Sequence, residues 1–174
     1  MTKALRINEY IFNNVSMLLL DFDGVLTTNS VLVLENGSEA VLCSRYDGIG
    51  IAKLNSIGIE TVIVSTEENR VVRARAKKLK LRCFQGIKEK GKIVKKLIAD
   101  AKVDAKTVVF VGNDINDLPA LELVGIPIVV NDCWPELLSV AKAITNRNGG
   151  MGAVREICDK IYDDFVKIDQ SGLK

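Results

Sequence analysis

The chain contains no histidine among its 174 residues, and that absence narrows its chemistry most. Ser-His-Asp triads, Cys-His pairs, phosphohistidine and HExxH metal sites all need imidazole and are excluded. Cys43, Cys83, Cys133 and Cys158 are scattered with no C-x-x-C spacing, so a zinc site lacks its clustered ligands. They read as reduced core residues of a cytoplasmic protein. Any metal would be held mainly by oxygen, which favours Mg²⁺. Aromatic residues are only 5% of the chain, too few to stack on single-stranded bases. A net charge of +2 gives no field for nucleic acid. Basic residues do cluster in Arg70 to Lys80 and Lys88 to Lys96, but at helical spacing among apolar residues, as solvated helix faces. Long apolar runs are also missing. Val15 to Leu20 is too short to cross a bilayer and runs straight into acids, so neither a membrane span nor a signal peptide is expected.

What is present is an alternation of short β-rich runs with longer amphipathic stretches. Val15–Phe22, Ile59–Val64, Thr107–Val111 and Pro127–Val130 read as buried strands. Helices are expected over Gly48–Ile57, Asn69–Leu79, Gly91–Ala101, Asp117–Val124, Pro135–Ala141 and Gly152–Val166. Val31–Leu34 and Ala40–Cys43 flank Asn36-Gly37, which signals a hairpin. The pattern predicts one α/β domain over residues 1–174, a Rossmann-like three-layer unit with a mostly parallel sheet. A hairpin insertion occupies about 30–44 and a polar tail about 167–174. Such sheets bind ligands at the carboxyl ends of their strands.

Those ends are rich in oxygen. The first strand stops at Asp21-Phe22-Asp23-Gly24, and residues two apart on a strand point the same way, so two carboxylates share one spot. Adjacent carboxylates call for a cation, a shared proton or both. Gly24 allows a sharp turn and close approach by a ligand. A surface turn is the plainer reading. The second strand ends in Ser65-Thr66-Glu67, where a hydroxyl can face a phosphate or cap the following helix. Lys90 stands near a helix start, where it opposes the helix dipole unless an anion is near; the alternative is an ordinary solvated lysine. The third strand ends in Gly112-Asn113-Asp114-Ile115-Asn116-Asp117, a plausible Mg²⁺ site or a plain turn. Their recurrence at successive strand ends points to phosphoryl transfer.

These motifs, in this order, resemble the haloacid dehalogenase superfamily of phosphohydrolases, over Ser16 to about Ile161. The resemblance implies Asp21 as nucleophile, Asp23 as general acid and base, Ser65 and Lys90 as phosphoryl stabilisers, and Asp117 as the partner of Lys90. It implies Mg²⁺ on Asp21, the Asp23 carbonyl and the Asn113–Asp114 pair. The family usually has Asp where this chain has Asn113. With one hairpin in place of a cap, and with Arg45-Tyr46-Asp47-Gly48, Gln85-Gly86 and Gly149-Gly150-Met151-Gly152, the chain is similar to the capless branch. That branch holds 3-deoxy-manno-octulosonate 8-phosphate phosphatases, nonulosonate 9-phosphate phosphatases and the C-terminal domains of some acylneuraminate cytidylyltransferases. It implies a homotetramer formed through the hairpins.

Glu67 with Lys78, and Met151 where the octulosonate enzymes carry Arg, lean toward a nonulosonate 9-phosphate. Gly24, Thr66, Glu67, Lys78, Arg45 and Asp47 are then the expected substrate contacts. Competing readings are the octulosonate enzyme itself, a non-catalytic tetramerisation module and a response-regulator receiver. A receiver carries its phosphoacceptor on a later strand.

Overall fold

The computed structural model describes residues 4–170. Its strands are β1 (Leu5–Arg6), β2 (Met17–Leu20), β3 (Thr27–Val33), β4 (Glu39–Cys43), β5 (Glu60–Val64), β6 (Arg82–Phe84), β7 (Val108–Gly112), β8 (Ile126–Val129) and β9 (Ala143–Ile144). Its helices are α1 (Arg45–Ser56), α2 (Arg70–Leu79), α3 (Lys90–Ala101), α4 (Leu118–Leu121) and α5 (Ala153–Gln170). Seven strands form a parallel sheet in the order β1-β9-β8-β7-β2-β5-β6, and β3 pairs with β4 as a separate antiparallel hairpin. The α/β expectation holds.

Two cores explain why β2, β5 and β7 read as unbroken apolar runs. Leu18, Leu20, Ile63, Val109 and Val111 pack on one face of the sheet with residues of α1, α2 and α5. Met17, Leu19, Val62, Val64, Val108 and Phe110 pack on the other with residues of α3 and α4. Successive side chains go to opposite faces, so a strand covered on both sides has no polar alternate.

Strand order also places the site. From β2 the chain fills one side of the sheet with β5 and β6, then crosses to fill the other with β7, β8 and β9. The carboxyl end of β2, flanked by β5 and β7, is therefore the switch point at which such sheets bind ligands.

Several boundaries differ from the sequence expectation. α1 begins at Arg45, because Ser44 Oγ accepts from Tyr46 N–H and starts the helix earlier than the first apolar residue. Neither Ser65 nor Thr66 is the N-cap of α2. Asn69 holds that place, accepting from Val71 N–H. The helix expected over 117–124 is a 3₁₀ turn at Ile115–Asp117 followed by one turn, Leu118–Leu121, and Pro135–Ser139 is 3₁₀. The expected polar tail is helical where it is described. Lys167–Gln170 complete α5, whose stripe continues through Phe165 and Ile168 beside Phe12 and Ile161; positions 171–174 lie outside the described residues. No helix among the described residues is long and apolar enough to cross a membrane.

Candidate active site

The first core strand delivers Asp21 directly into the switch point. Asp21 is 3% exposed, and its Oδ1 accepts from Phe22 N–H and pairs with Lys90 Nζ, both at 2.7 Å. Lys90 is the first residue of α3 and only 1% exposed, which excludes the solvated-lysine reading. Its ammonium also meets Asp117 Oδ1 at 2.6 Å. Asp117 is fully buried, and its Oδ2 accepts from the N–H groups of Asn113 (2.9 Å) and Asp114 (3.4 Å). One carboxylate thus orients the lysine and closes the loop after β7.

Burial pushes the Asp21 carboxyl up to about 8; Asp117 adds to the rise and Lys90 opposes it. Burial pulls the Lys90 ammonium down, but Asp21 and Asp117 together outweigh it and leave it raised. Asp23 is half-buried, and its carboxyl is raised by burial and by Glu67, against the Thr27 hydroxyl. A raised carboxyl beside a nucleophile is the form a general acid needs.

Asp21, Asp23, Thr66, Asn113 and Asp114 line one hollow of about 270 Å³, together with Asn29, Ile115 and Asn116. An adjoining cleft of about 230 Å³ shares Asp23 and Asn29 and is walled by Glu39, Glu67 and Asn69. Ser65 lies just beneath, 1% exposed, with its Oγ accepting from Glu67 N–H. Gly24 explains how Asn113 reaches the nucleophile loop. A Cβ at Gly24 would stand 2.0 Å from Asn113 Nδ2, so only glycine admits the amide there.

Three expected substrate contacts lie apart from this hollow. Arg45 and Lys78 line a separate basic depression of about 680 Å³ with Arg75 and Lys80. Glu67 accepts from Asn69 N–H and makes no ion pair with Lys78. Asp47 is fully buried, accepting from Arg155 N–H at 3.0 Å. Asn29 and Asn116 went unread in the sequence. Asn116 sits inside the acidic string and donates to Thr66 Oγ1 at 3.3 Å, a signal that was present. Asn29 has φ +59°, a conformation that only the fold reveals.

The donors fit a hard divalent cation. Asp21, Asp114 and the Asn113 amide line the hollow with oxygen, the donor a hard cation takes, and among the described residues no three His, Cys, Asp or Glu side chains are grouped to hold a metal by themselves, so amide, main-chain or water oxygen would complete the set. The crowding of Asp21 and Asp117 around one ammonium is also what a further positive charge would relieve.

Comparison with known proteins agrees. Residues 85–157 match the model of haloacid dehalogenase-like hydrolases. The chain is 32% identical over 159 residues to the 3-deoxy-D-manno-octulosonate 8-phosphate phosphatase of Salmonella typhi, covering 91% of this chain and 85% of that one. A solved HAD family hydrolase from Streptomyces avermitilis is 40% identical, with a TM-score of 0.84 and 87% of each chain covered. The 3-deoxy-D-manno-octulosonate 8-phosphate phosphatase of Moraxella catarrhalis was solved with magnesium ion, phosphate ion and a KDO molecule. It is 26% identical, with a TM-score of 0.86 and 95% of each chain covered. With the sheet, the switch-point acids and these likenesses together, the chain belongs to the haloacid dehalogenase-like hydrolases and is a phosphatase.

Proposed function

We propose that the chain hydrolyses the phosphomonoester of an acidic keto-sugar through an aspartyl-phosphate on Asp21, with Mg²⁺ as cofactor. The observation that carries this reading is Lys90, buried and shared between Asp117 and Asp21, the latter a lining residue of the hollow. A buried ammonium there neutralises the approach of a phosphate to a carboxylate nucleophile. Asp21, the Asp23 carbonyl and Asn113 or Asp114 would hold the Mg²⁺, which supplies charge neutralisation on the phosphoryl oxygens. Asp23 protonates the departing sugar oxygen and then takes a proton from water. Thr66, which lines the hollow just after β5, would face the phosphoryl group, with the Ser65 hydroxyl buried behind it.

Within the acidic sugars, Glu67 and Met151 favour a nonulosonate 9-phosphate, since basic residues are absent at both places. The names of the relatives favour octulosonate 8-phosphate as the second reading. Partner copies supply the remaining walls. The hairpin exposes Val31, Leu32, Val33, Leu34 and Leu42, the last by 72%, so apolar side chains are bare on both of its sides, which supports the homotetramer. The test is phosphate release with Mg²⁺ from both sugar phosphates, with Asp21→Asn as control. Turnover of one sugar that Asp21→Asn abolishes is expected. Near-wild-type turnover by Asp21→Asn would sink the mechanism, and inertness on both sugars would sink the substrate class.

A further inference from the structure

Asp23 and Asn29 are the two residues that line both the hollow of about 270 Å³ and the adjoining cleft of about 230 Å³. A phosphate attacked by Asp21 lies in the hollow, and its ester oxygen must face the acid that protonates it. Because that acid is Asp23, the leaving group runs from the hollow into the cleft and passes Asn29 on the way. Beyond Asn29 the cleft is walled by Ser30, Glu39, Glu67 and Asn69 with three valines, and neither lysine nor arginine lines it. Carboxylates and amides suit hydroxyl groups, and the carboxylates repel an anion.

Asn29 is prepared for such a contact in a way that the other amide of the cleft is not. Its φ of +59° is a left-handed conformation that asparagine tolerates better than most side-chain-bearing residues. The buried Thr27 hydroxyl accepts the Asn29 N–H at 3.2 Å and so fixes where the side chain departs. The side-chain amide is exposed and makes no hydrogen bond among the described residues. Asn69, by contrast, is engaged at both ends: its Oδ1 accepts from Val71 N–H and its Nδ2 donates to Glu39. A fixed backbone with an uncommitted donor and acceptor loses little entropy when a ligand arrives.

We infer that Asn29 is a specificity-determining residue whose side-chain amide hydrogen-bonds the hydroxyl on the carbon next to the phosphate ester, so that the cleft takes the neutral, polyhydroxylated end of the sugar. The inference rests on the aspartyl-phosphate reading and deepens it. In both candidate sugars the phosphate ends the carbon chain and the carboxylate begins it, with hydroxyl-bearing carbons between. The cleft therefore reads the hydroxyls beside the ester, and the sugar carboxylate lies outside it.

The experiment measures kcat/KM of wild type and Asn29→Gly at saturating Mg²⁺ on two esters. One is the faster of octulosonate 8-phosphate and nonulosonate 9-phosphate; the other is p-nitrophenyl phosphate, whose leaving group offers no neighbouring hydroxyl. Glycine adopts the left-handed conformation freely, so Asn29→Gly keeps the backbone and removes the amide. The ratio of sugar phosphate to aryl ester should fall about three- to tenfold through loss on the sugar, the size of one neutral hydrogen bond. Any slackening of the loop acts on both esters and cancels in the ratio. Asn29→Ala removes the same amide but strains the turn, and should give the same ratio with a lower melting temperature. An unchanged ratio overturns the inference: equal losses would put Asn29 on the phosphoryl group, and no loss would leave it a turn residue. Inertness of the wild type on both sugar phosphates removes the substrate reading and this inference with it. An active wild type whose ratio the variants leave unchanged removes the inference alone.

Discussion

Asp47 offers the sharpest test of the physical argument, because its role is structural where the sequence implied a substrate contact. α5 begins immediately after Gly152, which has no side chain to cap the first turn. Asp47, from the first turn of α1, supplies the acceptor instead: its Oδ1 takes the Arg155 N–H at 3.0 Å. Gly50 makes this approach possible, since a Cβ there would stand 2.9 Å from Cys158 Cβ and 3.1 Å from Arg155 Cα. The other carboxylate oxygen, Oδ2, is buried with no hydrogen-bond partner. Burial accordingly pushes Asp47 up to about 6, against the Arg155 N–H bond and the charges of Arg75 and Arg155.

The folded value lies above the unfolded one, so the folded chain takes up the proton first. Stabilisation from the protonated side chain is complete below about pH 4 and is lost as pH rises through about 6. The rise from 3.8 to about 6 is about two units, or about 3 kcal/mol at 1.36 kcal/mol per unit. Asp47→Asn keeps the acceptor for Arg155 and removes the titration. Its amide N–H₂ replaces an oxygen without a partner, which costs about 1–3 kcal/mol by itself. The offset between variant and wild type at pH 7 is therefore small, and the slope carries the information. Urea unfolding with EDTA from pH 4 to 7 should show the wild type losing about 3 kcal/mol more than Asp47→Asn. Asp21 titrates in both proteins and subtracts out. Parallel stability curves for the two proteins would refute the assignment.

Lys90→Met removes the buried cation that Asp117 pairs with and should destabilise the metal-free chain by about 3–5 kcal/mol. Thermal melts check this, and an unchanged midpoint in Lys90→Met would contradict it. Gly149→Ala would place a Cβ 1.8 Å from the main-chain oxygen of Gly24, which has no side chain to move aside. Destabilisation of about 1–3 kcal/mol or more, with a fall in kcat, is expected by denaturant titration and phosphate release. If the proposed homotetramer forms through the hairpin, Leu42→Asp should shift it toward monomer in light scattering while leaving the far-UV circular dichroism unchanged. An unchanged mass would remove the hairpin interface.

The legible parts of this fold were those where one physical rule acted alone. β2, β5, β7 and β8 are covered on both faces, so their apolar runs could not be mistaken for surface structure. β1, β6 and β9 are two or three residues long and carry groups such as Arg6 and Arg82, too little for a period to register. They exist because a neighbouring strand offers free backbone groups. The same division runs through the site. Asp21, Lys90 and Asp117 announce themselves as charges at strand and helix ends. Asp47 carries the same charge in an equally suggestive string, but its partner is a backbone N–H 108 residues away that no local pattern encodes.

Long-range backbone contacts also explain why so small a loop holds its geometry without a cap domain. The turn after Asp21 is pinned from three directions. Thr27 Oγ1 holds Gly24 and Asn29 from within, and Asn113 fills the space that a Cβ on Gly24 would need. Gly150 N–H bonds to Val25 O at 3.0 Å, while Gly149 lies against Gly24 itself. Each contact is made by backbone or by a side chain with few rotamers, so little entropy opposes the ordered turn. The Gly-Gly-Met-Gly segment therefore has two separable parts. Its glycines buttress the nucleophile loop, whatever the substrate. Met151 is 60% exposed, and the Cβ-excluding contacts of the segment are made at Gly149 and Gly150. The glycines belong to the scaffold of the nucleophile loop, and the proposed choice of sugar is the part that rests on exposed positions such as Met151.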